Sequence, residues 1–191
     1  MLGKQAKILS DANIRDLLAF TDLTRHPTRN RVIVLLSAKA GLRAGEIANL
    51  MWLMVTDAIG DIGGVIALED RFAKKKSGRI IPLHPDLHDA LQTLRETTDG
   101  SGSVIRSERG SAMKPVSIVN WFTLAYRAIG LTGCSSHSGR RTFVTRAARL
   151  AHRAGGSLRD VQLLAGHRSI QTTQRYIDGD SDAQRRLVAL I

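Results

Sequence analysis

Cysteine is almost missing: Cys134 stands alone among 191 residues. One thiol closes no internal disulfide and builds no cysteine-cluster zinc site, which fits a reducing, cytoplasmic compartment. Long apolar runs are missing too. Nothing approaches the roughly 18–20 residues of a membrane span. The amino-terminal Met1-Leu2-Gly3-Lys4-Gln5-Ala6-Lys7 lacks the apolar core of a signal peptide. Aromatic residues are 4% of the chain, too few for stacking on unpaired bases to lead. No Asp, Glu and His cluster has ligand spacing, so neither metal nor cofactor is expected. Acids are short as well. Their 17 face 28 Lys+Arg, a net charge of +11. Such a balance favours a polyanionic partner, and the backbone of duplex DNA fits it better than single strands. A merely well-solvated basic protein is the plainer alternative.

What is present reads mostly as helix. Ser10 is placed to cap a helix in which Ile14, Leu17 and Leu18 share a face. A second helix runs from Thr28 to Ala40, with Gly41 set to end it. A short third covers Ala44 to Leu50. The pattern then turns to β: Gly63–Leu68 and Arg79–Leu83 flank the basic turn Arg71–Gly78, and Val55-Thr56 adds to the sheet. Helices follow from Pro85 to Arg95, Pro115 to Ala128, Ser138 to about Arg153, Ser157 to Leu164 and Ser169 to Ile177. Thr97–Ser103 reads as a surface loop. The tail from Asp180 to Ile191 forms a last helix with an apolar end. The expected fold class is α+β, mostly helical, with a small antiparallel β-sheet, in a single domain.

Four pieces of this chain carry chemistry. Breaking a phosphodiester without metal needs cations for the non-bridging oxygens, a nucleophile in line and an acid for the leaving oxygen. Arginine binds phosphate bidentately and stays charged. Arg43, after the helix-ending Gly41, and Arg140 are the candidates. Glu46 lies one turn from Arg43 and can orient it, although a surface ion pair is the commoner fate of that spacing. His137 shares a helix face with Arg140 and can donate to a phosphate or take a proton. His167 follows Gly166 in a turn, where exposure is expected. Tyr176 lies nine residues later on a short helix; its plain alternative is packing against Ile170 and Ile177. Tyr126, on an apolar helix, reads as core. Arg141 and Arg146 are expected in solvent or on DNA phosphates.

Gly41-Leu42-Arg43-x-x-Glu46, the lysine-bearing hairpin, His137-x-x-Arg140 and Gly166-His167 followed by Tyr176 resemble the tyrosine recombinase (phage integrase) family in order and spacing. The resemblance covers about Ser10 to Ile177. It implies a mixed α/β catalytic domain acting on duplex DNA. Tyr176 would attack a phosphodiester to give a 3′-phosphotyrosyl link and a free 5′-hydroxyl. Arg43, His137, Arg140 and His167 would surround the phosphate, with Glu46 in support. The family also implies a general-acid lysine in the hairpin. Lys74 fits the count back from Ile81-Pro82-Leu83, and one inserted residue moves the role to Lys75. The others of Lys74, Lys75 and Lys76, with Arg141, would contact DNA.

Further expectations come with the family. They are self-assembly on DNA, from dimer to tetramer, and an accessory or directionality protein. One departure is large. Relatives carry an N-terminal helical domain that completes a clamp around DNA, and only about forty residues precede Arg43. The expectation is a catalytic domain over residues 1–191 without that core-binding domain. It is either an isolated domain or a naturally short member, like the fimbrial phase-variation recombinases. Two other functions compete: a catalytically weak or accessory DNA-binding relative, and a type IB topoisomerase-like activity.

Overall fold

A helix whose middle is an unbroken apolar run passes through the centre of the molecule. In the computed structural model, which describes residues 6–69, 78–176, 185, 188, 189 and 191, this is α2 (Pro27–Lys39). Pro27 opens it where the missing N–H costs nothing. Val32, Ile33, Val34, Leu35 and Leu36 are all buried. A stretch apolar all round must be covered all round. It packs against α1 (Asp11–Asp22), α4 (Pro85–Glu96) and α6 (Ser138–Leu150).

The amphipathic neighbours bury one stripe each. Ser10 caps α1 through the Asn13 N–H, and Asn13 answers to the Ser10 N–H. Ile14 and Leu17 turn inward. In α4 the buried stripe is Leu87, Ala90, Leu91 and Leu94. In α5 (Pro115–Ala128) it is Ile118, Phe122, Ala125 and Tyr126. Tyr126 is core, stacked on Phe122 with ring centroids 5.7 Å apart.

The sheet is smaller than the sequence suggested. β1 (Val65–Leu68) and β2 (Arg79–Pro82) form an antiparallel pair, with Val65 opposite Pro82 and Leu68 opposite Arg79. Val55-Thr56 is not a third strand. Thr56 makes one isolated bridge to Ile62, and the chain before it winds into a 3-10 turn, Trp52–Met54. That turn sinks Trp52 and Met54 into the core, a burial that two residues of strand would not achieve.

The carboxy-terminal half adds α6, α7 (Leu158–Ala165) and α8 (Ile170–Gln174). α6 ends at Leu150, and a 3-10 turn, His152–Ala154, carries the chain to Gly155. Val144, Val161 and Ala165 form a second small core with Phe143 and Tyr176. Where α6 crosses α2, Gly139 lies against Ser37. A Cβ there would collide with the Ser37 hydroxyl and stand 3.2 Å from its backbone carbonyl carbon. Arg146 bonds the Asp11 carboxylate and the Leu9 carbonyl, tying α6 to the start of α1. The tail helix expected from Asp180 lies almost wholly outside the described residues, as do Lys74, Lys75 and Lys76.

Candidate active site

Gly41 ends the α2 segment at φ 66°, a conformation that other residues reach only with strain. The chain then enters α3 (Ala44–Ala48) with Arg43 as its N-cap. Glu46 accepts from the Arg43 backbone N–H at 2.9 Å and from its Nη1 at 2.7 Å. This is not the surface pair that its spacing suggested, because Glu46 is only 2% exposed. A third partner accounts for the burial. From β2, Arg79 donates through Nη1 and Nη2 to both Glu46 oxygens at 3.1 Å each. Its Nε donates to the Leu164 carbonyl at 2.8 Å. Burial pushes the Glu46 carboxyl up, but the hydrogen bonds and charge of Arg79, with those of Arg43, outweigh it and bring the pKa down to about 2.

Arg140 lies in the first turn of α6, 3% exposed. It donates to the Gly41 carbonyl, the Ala165 carbonyl and His167 Nε2, the last at 3.0 Å. Three of its five N–H donors are thereby committed. The other two have no partner among the described residues and can meet a ligand oxygen. Burial first, then the charge of Arg43, lower its pKa to about 10, so it remains a cation at neutral pH.

His167 corrects the expectation of exposure, being 8% exposed. Gly166, at φ 61°, caps α7 in the left-handed conformation and turns the chain inward. The His167 backbone is then held twice by Gln162: its N–H donates to the Gln162 carbonyl, and Gln162 Nε2 donates to the His167 carbonyl. The ring contacts fix the tautomer. Arginine has no acceptor, so His167 Nε2 must accept from Arg140. The proton is then on Nδ1, which donates to Thr173 Oγ1 at 2.9 Å. Burial, then Arg140, Arg43 and Arg79 in turn, depress the His167 pKa to about 4.

Tyr176 stacks on His167, ring centroids 5.4 Å apart and planes 24° from parallel. It is half-buried beside Val144 and Val161, neither the wholly buried core residue nor a free side chain. Thr145 donates to its backbone carbonyl at 3.4 Å. His137 is the exposed N-cap residue of α6, and its imidazole has no hydrogen-bond partner among the described residues.

These side chains open onto one cleft of about 370 Å³, lined by Arg43, His137, Arg140, His167 and Tyr176. Arg141 and Arg175 lie on the same rim, and Arg141 Nε is buried without a partner among the described residues. A cleft with four arginines, a half-buried phenol and an unpartnered imidazole is suited to an anionic ester: cations for its oxygens, an attacking hydroxyl and a proton acceptor. Sequence reasoning missed Arg79, Thr173 and Arg175. One signal for Arg79 was available: strand alternation puts it on the same face as Ile81, which is buried.

The model of the phage integrase family matches residues 7–182. Tyrosine recombinase XerC of Rhizobium meliloti (strain 1021) is 29% identical over 184 residues, 92% of this chain and 54% of that protein. Tyrosine recombinase XerA of Thermococcus kodakarensis is 30% identical over 173 residues, 89% of this chain and 57% of that one. The chain thus spans about half the length of the curated relatives it matches. Among solved structures, an XerA recombinase has the same fold at a TM-score of 0.74 and 24% identity, covering 100% of this chain and 65% of that one. A lambda integrase dimer bound to a COC′ core site matches at a TM-score of 0.72 and 20% identity, covering 93% of this chain and 49% of the other.

Proposed function

The chain belongs to the phage integrase family, and from that premise we propose that it is the catalytic domain, residues 1–191, of a site-specific recombinase that cuts and rejoins duplex DNA. One observation carries the reading. Arg43, His137, Arg140, His167 and Tyr176 come from separate stretches of chain and line one cleft.

Tyr176 Oη attacks the phosphorus, and the bond from phosphorus to the 5′-oxygen breaks. The product is a 3′-phosphotyrosyl link and a free 5′-hydroxyl. Arg43 and Arg140 neutralise charge growing on the non-bridging oxygens. His137 takes the phenol proton, since its imidazole has no other hydrogen-bond partner among the described residues. His167 accepts from Arg140 and holds it toward the phosphate. Lys74 protonates the leaving 5′-oxygen, with Lys75 as the alternative in that role. Lys75, Lys76 and Arg141 contact neighbouring phosphates. An ester is exchanged for an ester, so the reaction needs no nucleotide hydrolysis and no cofactor.

Duplex DNA is the partner, and copies of the chain assemble on it as dimers and tetramers. The lambda integrase relative is likewise a dimer on a DNA site. No helix among the described residues is long and apolar enough to cross a membrane, and the compartment that fits is the cytoplasm.

The test is a nicked duplex that loses its short 5′-hydroxyl fragment after cleavage and so traps the covalent adduct. In EDTA, the wild-type chain should form it. Tyr176→Phe should bind the same DNA and form none. An adduct made by Tyr176→Phe but not by Tyr126→Phe would move the nucleophile elsewhere. DNA binding without any wild-type adduct would leave an accessory DNA-binding relative. Relaxation of supercoils without sequence preference would favour the topoisomerase.

A further inference from the structure

The hydrogen bonds of Arg79 join three parts of the molecule that the chain keeps apart. The guanidinium grips both oxygens of Glu46, at the start of α3, and the Leu164 carbonyl, in the last turn of α7. Arg79 itself opens the strand that follows Lys74, Lys75 and Lys76 in the chain. Its side chain is 5% exposed and Glu46 is 2% exposed, so it is not a phosphate-seeking surface cation. It also explains a glycine. A Cβ on Gly166 would stand 2.9 Å from Arg79 Nη1 and 3.0 Å from its Cδ, so Arg79 lies directly against the turn that delivers His167.

We propose that Arg79 is a positioning residue for strand cleavage. Through Glu46 it sets the reach of Arg43, and through Leu164 and the Gly166 turn it sets His167. It also fixes β2 to both. It touches no substrate. The inference rests on the recombinase reading for its catalytic readout and on the Glu46 contact for an independent one.

Buried Arg79 and half-buried Arg43 share one buried carboxylate, so removing Arg79 has a defined result. Arg43 alone then faces Glu46, and burial acts on the carboxyl with less to oppose it. Lysine at position 79 restores charge but not the fork that spans both oxygens and the carbonyl at once.

The experiment compares Arg79→Met and Arg79→Lys with wild type. A pool of nicked duplexes with randomised sequence serves as the DNA probe. Arg79→Met should bind the pool within about threefold of wild type, with adduct formation down about a hundredfold, as a small misplacement of catalytic groups does. Its rate should also acquire an acid limb at higher pH than wild type, as the less-opposed buried carboxyl takes up a proton. The double variant Arg79→Met, Glu46→Gln should lack that limb. Arg79→Lys should recover about tenfold of the lost rate.

Carbon-13 NMR of the Glu46 carboxyl supplies the DNA-free arm. Its titration should move up by about one pH unit or more in Arg79→Met. Where Arg79→Met does not fold, Arg79→Lys carries both readouts, with smaller shifts. An unchanged Glu46 titration overturns the proposal. So does a rate that falls only with the folded fraction while the pH profile stays as in wild type. Absence of any wild-type adduct counts against the recombinase reading instead, and the Glu46 titration then decides the role of Arg79.

Discussion

His167 is the residue whose surroundings most constrain its chemistry. It is buried as the neutral ring, accepts from a cation and donates to Thr173. Protonation would set a positive charge against Arg140 and remove the acceptor it uses. The folded pKa of about 4 lies below the ordinary 6.5. As pH falls between those values the unfolded chain binds a proton that the folded chain does not, and stability is lost. The expected loss from pH 7 to pH 4 is about 3 kcal/mol. Urea melts across that range should show it in wild type and a flatter profile in His167→Gln. Glu46 acts at lower pH and has a depressed pKa. Its contribution is complete above about 4.5 and is lost as pH falls toward about 2. An equal acid slope in both proteins would mean that His167 is not held neutral.

At the scale of elements, much was legible in the sequence, and the exceptions have physical causes. α1, α2, α4 and α5 announce themselves by apolar spacing, by Ser10 and by Pro27, Pro85 and Pro115 at their first turns. These signals are local. Arg79 is different, because its partners Glu46 and Leu164 lie 33 and 85 residues away, and no local pattern reports such a pairing. His167 was misjudged for the same reason: a glycine turn predicts exposure until Gln162, Thr173 and Arg140 are seen to close over it. Order and spacing identified Arg43, His137, Arg140, His167 and Tyr176 as candidates, and the structure brings all five to one cleft. The crossing of α2 and α6 yields a prediction of its own. Helix propensity alone would favour Gly139→Ala by about 1 kcal/mol. The contact with Ser37 reverses the sign, because the added methyl meets a side chain and a backbone carbon. Gly139→Ala should lower the melting temperature. Adding Ser37→Ala, which also removes a buried hydroxyl without a partner among the described residues, should return part of the loss. A melting temperature raised by Gly139→Ala would show that the crossing has room.

For the whole molecule the dominant quantity is charge. On the proposed function, a net +11 on 191 residues would make affinity for duplex DNA depend on displaced counterions. Raising salt from about 50 to 200 mM should weaken binding about a hundredfold or more. Titrations of a labelled duplex at four salt concentrations would measure the slope, and tight binding indifferent to salt would contradict it.

The proposed function also sets a problem of gauge. The non-bridging oxygens of a phosphate have a fixed spacing, so two arginines that grip them must be set at a matching distance. Arg43 follows α2, and Arg140 begins α6 next to Gly139. On the proposed function, the closeness of those two helices, set where Gly139 meets Ser37, calibrates that grip.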